Sequence, residues 1–450
     1  MVGISNIGAE AQKVNSVKAE KDRIEKEAFF CTTKELSRLG LEQIPTQFQS
    51  HKHLIYSSPA TLAFNSPGAE GFGVKRAGLA VPDSIMLIVA PGCCGRNTSL
   101  ISSMKEYNDR FYYLMMDETD IVTGRHLKKI PKAVEEICSV CPKKPSVVMI
   151  CITCVDALLG TDMERVCKKA EERVEIPVRP CYMYALTREG RKPPMVHVRQ
   201  SLYSLLESGK KKGNVVNLLG FFSPLVDDCE IYDLLHSAGV KTIHEISRCK
   251  DYMEYQTMSE ANFNLVLHHE ARFAAEDFHN RLQIPFIELR RLYQIDKIEN
   301  QYHALGNALG VVFCDEKYKK QAEDALEKFR QKCPDASFAI GECLNADPFE
   351  LSLALIRYGF SVPEIYGTIT VENFTYIRSL AKISPETKVF SNMEPTMIYY
   401  DPAKSDVNLA IGKDACYYHP DCPYVMWNGE EQPYGYAGVR RLFEQLLEVV

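Results

Sequence analysis

The sequence lacks the features that define several large classes of protein. None of its apolar runs approaches the ~18 residues of a membrane-spanning helix, and residues 1–30 contain no apolar core of the kind found in secretory signals. Neither a phosphate-binding G-x-x-x-x-G-K-[ST] motif nor a G-x-G-x-x-G motif after a strand occurs. We therefore expect a cytoplasmic protein with no membrane partner that neither hydrolyses ATP nor binds a dinucleotide in the usual way.

Basic charge is also scarce. The chain has 53 Lys and Arg against 59 Asp and Glu, a net charge of −6, and the basic residues are scattered. A nucleic-acid partner requires a basic face that neutralises phosphates, so we expect none. The 450 residues are 46% hydrophobic and 25% charged, which is typical of soluble globular proteins. Without a signal peptide, the 16 cysteines are expected to be reduced thiols or metal ligands.

From residue 85 onwards, apolar strand-like runs alternate with amphipathic helical segments. The predicted strands form three blocks of four: 85–90, 111–115, 147–152 and 176–181; 214–219, 240–243, 263–267 and 284–289; 310–314, 337–341, 387–391 and 407–411. The helices predicted between them include 162–173, 231–238, 271–281, 317–332 and 348–358. This alternation is typical of parallel sheets covered by helices on both faces.

We therefore predict an α/β fold of three doubly wound, Rossmann-like domains with parallel sheets. They occupy residues 76–208, 209–306 and 307–450. Residues 1–75 are predicted to form an N-terminal helical arm, with its helix over 8–29, and an irregular loop.

Cysteines follow two neighbouring strands of the first block. Cys93 and Cys94 come after strand 85–90, and Cys151 and Cys154 stand at C-x2-C spacing where strand 147–152 ends. The carboxyl ends of parallel strands are where open α/β sheets place their ligand sites. Soft thiolates at such a place favour an iron–sulfur or a zinc site.

The spacing Cys138-x2-Cys141-x9-Cys151-x2-Cys154 is superficially that of a zinc ribbon. The nine-residue spacer, however, contains the buried strand residues 147–150, at about 3.3 Å per residue. The two cysteine pairs would then lie at opposite ends of the sheet. We therefore expect Cys138 and Cys141 to be structural and favour iron–sulfur over zinc.

The segment T-C-V-D-A-L-L-G-T-D at 153–162 resembles the cluster-ligand segment of the nitrogenase component 1 family. Three further segments resemble the second ligand loop, the middle-domain helix with its strand entry, and the C-terminal ending of that family, at 91–95, 275–286 and 433–439. The similarity covers residues 70–450.

The resemblance implies an inter-subunit iron–sulfur cluster, [4Fe–4S] or larger, with Cys94 and Cys154 as ligands. Because such a cluster takes four thiolates, a second copy or a paralogue would complete it, giving a homodimer or a heterodimer. Cys93 and Cys151 are either further ligands or thiols that pack beside the cluster. Cys31 is the only cysteine upstream of this loop, and it is either a ligand or a buried thiol.

The cysteine and the histidine that hold the iron–molybdenum cofactor in the nitrogenase α chain fall near Leu267 and Met426. We therefore expect no iron–molybdenum cofactor on the usual ligands. His268 and His269 follow strand 263–267 and are the candidate catalytic residues, as ligands or proton donors, unless they simply line a cavity.

The expected function is that of the catalytic component of a nitrogenase-like reductase. Electrons would arrive from a separate ATP-dependent iron–sulfur reductase and pass through the cluster to a substrate that the sequence does not identify. The resemblance allows a tetrapyrrole double bond or a small sulfur or nitrogen compound. The alternatives are a non-catalytic scaffold for metal-cofactor assembly and a cysteine-rich protein without metal.

Cys94→Ser and Cys154→Ser should each lose most of the bound iron, because a hydroxyl does not ionise at neutral pH and replaces a thiolate ligand poorly. The matched control, Cys138→Ser, should lose none. Iron content after anaerobic purification measures the effect, and unchanged iron in both ligand variants would remove the cluster assignment.

Overall fold

The computed structural model describes residues 27–49, 73–92, 105–183 and 192–450. The helix predicted over 8–29 lies outside these residues except for its last three positions, which have no regular structure. The first described segment contains strand β1 (Phe30–Thr32) and helix α1 (Thr33–Leu39). The Thr32 hydroxyl accepts a hydrogen bond from the Glu35 N–H at 3.2 Å, and the Glu35 carboxylate accepts one from the Thr32 N–H at 2.8 Å. This capping box fixes the start of α1.

The first sheet contains four parallel strands in the order β3-β2-β4-β5. The central strands β2 and β4 are buried along their whole length. The strands are β2 (Ile85–Ala90), β3 (Phe111–Met115), β4 (Val148–Ile152) and β5 (Val178–Tyr182). The helices are α2 (Val74–Ala77), α3 (Glu118–Thr123), α4 (His126–Val140), α5 (Cys154–Leu159), α6 (Met163–Val174) and α7 (Pro194–Tyr203).

The second sheet is also parallel, in the order β7-β6-β8-β9. Its strands are β6 (Lys212–Leu219), β7 (Thr242–His244), β8 (Ala261–Val266) and β9 (Phe286–Glu288). The helices connecting them are α8 (Glu230–Ser237), α9 (Tyr252–Gln256) and α10 (Arg272–Leu282). The strands predicted for the first two blocks are thus present, several with ends shifted by one or two residues.

The third sheet has six strands in the order β1-β12-β11-β10-β13-β14. All of its pairs are parallel except that of the edge strand β1 with β12. Its remaining strands are β10 (Ser337–Ile340), β11 (Ser361–Tyr366), β12 (Lys388–Phe390), β13 (Leu409–Ile411) and β14 (Tyr424–Val425). Its helices are α11 (Ile295–Leu309), α12 (Glu316–Lys332), α13 (Pro348–Arg357), α14 (Phe374–Ile383), α15 (Lys413–Tyr418) and α16 (Gly435–Val449).

Three parallel sheets interleaved with helices confirm the predicted fold class. The domain boundaries at residues 76, 209 and 307 remain predictions. Within the described ranges, no helix is both long enough and apolar enough to cross a lipid bilayer.

One predicted strand, 310–314, is wrong. Gly310 has a positive φ of 71° and ends α11, and the segment continues as a loop into α12. Val312 is 92% exposed while Phe313 is buried. Apolar residues therefore occur here in a loop that pairs with no neighbouring strand among the described residues, although their pattern is typical of a strand. In contrast, β11 is a strand that the apolar pattern does not predict, because Pro363 and Glu364 interrupt its centre.

Glu230 joins the second domain to the last helix of the chain. Its carboxylate accepts hydrogen bonds from the Tyr436 N–H at 2.6 Å, the Ala437 N–H at 3.0 Å and the Tyr302 hydroxyl at 2.6 Å. The two N–H groups belong to the first turn of α16, where the helix itself provides no acceptor for them. Gly435 has a φ of 58°, and a Cβ there would overlap the Glu230 carboxylate. The C-terminal motif noted in the sequence therefore forms a buried junction between domains.

Glu230→Ala should lower the free energy of unfolding by about 3 kcal/mol, because it leaves two buried N–H groups and a hydroxyl without an acceptor. Glu444→Ala, which removes a more exposed carboxylate from α16, is the matched control and should change it little. Urea unfolding followed by circular dichroism measures both. Equal stability of the two variants would contradict this role for Glu230.

Candidate functional site

The two cysteine loops begin at the same edge of the first sheet. Strands β2 and β4 are adjacent and parallel, with Val89 opposite Ile152. The chain leaves β2 through Pro91 and Gly92, and it leaves β4 directly into α5, whose first residue is Cys154. Cys93 and Cys94 lie outside the described residues, and for Cys154 the backbone alone is described. The backbone thus directs both candidate ligand loops to one sheet edge.

Cys151 lies inside β4 rather than at its end. It is fully buried, and its register partner on β5 is Cys181, also fully buried. A hydrogen bond between the two thiols lowers the pKa of Cys151 and raises that of Cys181 well above its usual range. Cys151 therefore has a protein partner in the core of the first domain.

Cys31 is on β1, opposite Val389 of β12 in the third sheet. The structure thus places it in a different sheet and a different core cluster from Cys151. Burial, with a smaller contribution from the charge of Glu35, raises the pKa of the Cys31 thiol to about 11. At neutral pH this thiol is protonated, and the structure does not bring it together with Cys151.

A cavity of about 450 Å³ lies between the second and third domains. The ends of β6, β8 and β9 form one wall, and the loops after β10 and β11 form the opposite wall. Met195 and Arg199 on α7 form part of its lining. Two parallel sheets therefore present their carboxyl edges to one space, which is the usual location of ligand sites in such folds.

His268 and His269 both line this cavity. Their rings stack, with centroids 4.5 Å apart and planes inclined by 28°. The Nδ1 atom of His268 accepts a hydrogen bond from the Glu270 N–H at 3.3 Å. Enclosure by protein, together with the charges of Arg199, His269 and Arg291, keeps the pKa of His268 well below its usual value. His268 is therefore neutral at pH 7 and carries its proton on Nε2, where it can act as a donor.

Arg199 is a charged residue of the cavity wall and is almost fully buried. It donates to the Gly220 carbonyl from Nε at 3.1 Å and from Nη2 at 2.6 Å. Its Nη1 atom lies 2.7 Å from the Glu270 carboxylate. Glu270 is thus engaged in an ion pair that holds the loop after β8.

Arg291 differs from Arg199 and Arg272 in its partners. Its Nη2 donates to the Gln432 side chain at 2.6 Å, and its guanidinium lies 4.3 Å from the centre of the Phe221 ring. Among the described residues no carboxylate forms an ion pair with Arg291, and its buried Nε has no acceptor. Arg272, by comparison, is paired with Glu288 at 2.7 Å. Arg291 therefore leaves a positive charge in the cavity that an anion could balance.

Leu267 and Met426, near which the resemblance places the two cofactor ligands of the nitrogenase α chain, differ in their surroundings. Leu267 is buried and lines the cavity, whereas Met426 is 45% exposed and is not part of the lining. In the described part of the chain, no group of three or more His, Cys, Asp or Glu side chains is arranged to hold a metal ion. The cavity itself thus offers charges and imidazoles rather than a thiolate.

The family model for "Nitrogenase component 1 type Oxidoreductase" matches residues 70–450. The chain belongs to this family. A solved structure titled "Nitrogenase Cp1 at pH 6.5" superposes with a TM-score of 0.67 at 18% identity, covering 88% of this chain and 92% of that chain. This similarity extends over nearly the whole fold, including the three parallel sheets.

Its curated relatives include proteins named "Nitrogenase iron-molybdenum cofactor biosynthesis protein NifE". The one from Sinorhizobium fredii is 25% identical over 87% of this chain and 82% of its own length. The one from Mesorhizobium japonicum is 24% identical over the same shares, 87% and 82%. The one from Clostridium pasteurianum is 24% identical over 55% of this chain, which spans about half of that relative, 54%.

Several cavity residues are not identified by the sequence analysis. Arg199, Arg291 and Asp347 come from separate segments of the chain and converge only in the folded protein. The position of Arg291 in the sequence could have indicated a site residue, since it follows the predicted strand 284–289 as His268 follows strand 263–267. Arg199, on a helix, resembles an ordinary surface residue in the sequence.

Sulfate, used as a simple oxoanion probe, should stabilise the protein against thermal unfolding through Arg291, because a ligand that binds only the folded state raises its stability. In Arg291→Gln the apparent sulfate affinity should fall at least about tenfold, the loss expected for one charge-assisted hydrogen bond. Arg272→Gln, whose charge is already balanced by Glu288, is the matched control. Sodium chloride at equal ionic strength separates binding from screening. Equal sulfate stabilisation in Arg291→Gln and wild type would contradict the assignment.

Proposed function

We propose that this chain is a scaffold on which a metal–sulfur cofactor is held during assembly and then transferred to another protein. The cargo would occupy the cavity between the second and third domains. A separate iron–sulfur cluster would be bound at the edge of the first sheet by Cys94 and Cys154. The names of the relatives, which are cofactor biosynthesis proteins, favour this function over substrate reduction.

The observation that carries the proposal is the chemical character of the cavity. Where the catalytic α chain holds its cofactor by a cysteine and a histidine, this chain has the buried Leu267 and the exposed Met426. The cavity is lined instead by charged side chains of both signs, among them Arg291, Arg199 and Asp347, and by the two stacked histidines. Ion pairs and hydrogen bonds release a ligand more readily than metal–thiolate bonds, and a scaffold must release its cargo.

The lining residues suggest how an anionic cargo would be held. Arg291 has an unbalanced charge and an Nε donor without an acceptor among the described residues. The neutral His268 directs an Nε2–H towards the same space, since its Nδ1 is occupied by the Glu270 N–H. Arg199 is fixed by Glu270 and Gly220 and supports the wall rather than binding freely. His268 and His269 are therefore proposed as cargo contacts, and as the candidate catalytic residues if the chain turns over a substrate.

The donor set at the first sheet suits an iron–sulfur cluster, because thiolates are its ordinary ligands. The register of β2 and β4 brings the ends of these two strands to one edge, and in the sequence Cys94 follows the first and Cys154 the second. With Cys94 and Cys154 as ligands, a homodimer or a paralogous heterodimer would supply the other two thiolates. Cys93 is the nearest further ligand in sequence, while Cys151 and Cys31 have surroundings in the core that favour buried thiols.

The second candidate function is the reductase component, with electrons from a separate ATP-dependent iron–sulfur reductase. The description of the family as oxidoreductases favours it, as does a histidine pair within a cavity large enough for a small substrate. A reductase needs its cofactor or substrate to stay through several electron transfers. A scaffold needs it to leave, and this difference decides the experiment.

The test uses anaerobically purified full-length protein with its co-purifying partners. We expect bound iron that moves to an added cofactor-free nitrogenase-type acceptor, leaving this chain depleted, without any requirement for turnover. The Arg291→Gln variant should carry less cargo and transfer less while retaining the iron on Cys94 and Cys154, and Arg272→Gln is its matched control. Iron that never leaves the chain, combined with substrate reduction when a cognate reductase and MgATP are added, would replace the scaffold with the reductase.

A further inference from the structure

A buried histidine–aspartate pair lies directly behind the start of α5. The side chains of His126 and Asp156 are 1% and 0% exposed, and Nε2 lies 2.9 Å from Oδ1. The Nδ1 atom of His126 is 3.0 Å from the Asp120 carbonyl oxygen. Because a carbonyl oxygen can only accept, Nδ1 donates there, and the ring is fixed with Nε2 facing Asp156.

Asp156 also secures the far end of α5. Its Oδ1 accepts a hydrogen bond from the Thr161 hydroxyl at 3.0 Å, and its carbonyl accepts one from the Thr161 N–H at 3.1 Å. Gly160, with a φ of 65°, makes the turn between them. Helix α5 has only six residues, and so short a helix has little stability of its own. Its position therefore depends on the contacts of Asp156.

The other side of the pair is a rigid corner. Asp120 is buried, and its carboxylate accepts from Arg125 Nε and from Lys129 Nζ, both at 2.6 Å. Asp117 caps α3 with a reciprocal pair of hydrogen bonds to Asp120. The α3–α4 corner thus holds His126 through the Asp120 carbonyl, and His126 in turn holds α5.

Two buried oxygens near Cys154 have no hydrogen-bond partner among the described residues. They are Thr153 Oγ1, on the residue before Cys154, and Asp156 Oδ2, two residues after it. Buried polar atoms without a partner are uncommon in folded proteins and are found at functional sites. These two oxygens belong to residues on either side of Cys154, the proposed iron ligand.

We propose that the His126–Asp156 pair is a positioning element that sets where the backbone presents Cys154 to iron. Neither residue is a ligand. The pair acts through α5, by fixing the first turn of that helix against the α3–α4 corner. This inference rests on the proposed cluster at Cys94 and Cys154, and the experiment separates the two.

The structure supplies a matched control for a buried histidine–carboxylate pair. His419 Nε2 lies 3.1 Å from Glu364 Oε2 in the third sheet, with side chains 2% and 3% exposed. The Tyr400 hydroxyl also contacts this pair, which lies in a different sheet from α5. Glu364→Ala therefore measures what loss of such a pair does to stability alone.

The experiment compares D156A, D156N and E364A with the wild type in full-length protein purified anaerobically. Iron per chain, the electron paramagnetic resonance spectrum after dithionite reduction, and the thermal unfolding midpoint are measured for each. We expect D156A to lose at least half of its iron, or to show a broadened and shifted spectrum, while still folded. D156N should resemble the wild type, because its amide can donate to both His126 Nε2 and Thr161 Oγ1. E364A should lose stability without any spectral change.

Folded D156A with the iron content and spectrum of the wild type would overturn the inference, as would an equal spectral change in E364A. If D156A does not accumulate, Thr161→Val removes one hydrogen bond to Asp156 without changing side-chain size, and a partial spectral shift is expected from it. An unchanged spectrum in that variant would equally overturn the inference. A wild-type protein without iron would overturn the proposed cluster itself, and the positioning role with it.

Discussion

Parallel pairing of the strands is the constraint on which the rest of this molecule depends. Except for β1, every strand in the three sheets runs parallel to its neighbours, so each connection must cross back over the sheet and every loop after a strand opens at the same edge. Polar and reactive residues collect at these edges because central strands such as β2 and β4 are buried along their whole length. Both the cysteine loops and the cavity between the second and third domains follow from this single requirement.

Several buried charged side chains of this fold are stabilised by polar partners. Arg199 is balanced by Glu270, and Glu230 is surrounded by the N–H groups that begin α16. Burying a charge is costly without such partners, and removing one partner costs more than the pair contributes. Arg291 donates a hydrogen bond to an amide and, among the described residues, has no carboxylate partner. A protein that binds an anion there has a reason to keep this less stable arrangement.

Members of the family have the same fold but differ in the residues that line their ligand sites. At 18% identity to a solved nitrogenase structure, the three-sheet architecture is retained over nearly the whole chain. The residues at Leu267 and Met426 are nevertheless of different chemistry from the ligands of the catalytic α chain. Packing tolerates many combinations of apolar residues of similar volume, whereas a ligand position depends on one functional group. Membership of the family therefore establishes the fold, and the cavity lining has to indicate the function.

The sequence by itself determined the fold class and most of the strands. Continuous apolar runs such as those of β2 and β4 can only be satisfied by burial on both faces of a sheet, and His268 is found because it directly follows such a run. The pattern failed at 310–314, where alternation occurs in a loop, and at β11, where the buried Glu364 is stabilised by His419 from a distant segment. Only the tertiary structure decided which residues meet. Arg199 and Arg291 converge on His268, His126 contacts Asp156, and Cys31 lies in the third sheet. Such contacts depend on how sheets and crossover helices pack across long sequence separations. Local sequence patterns contain no information about them.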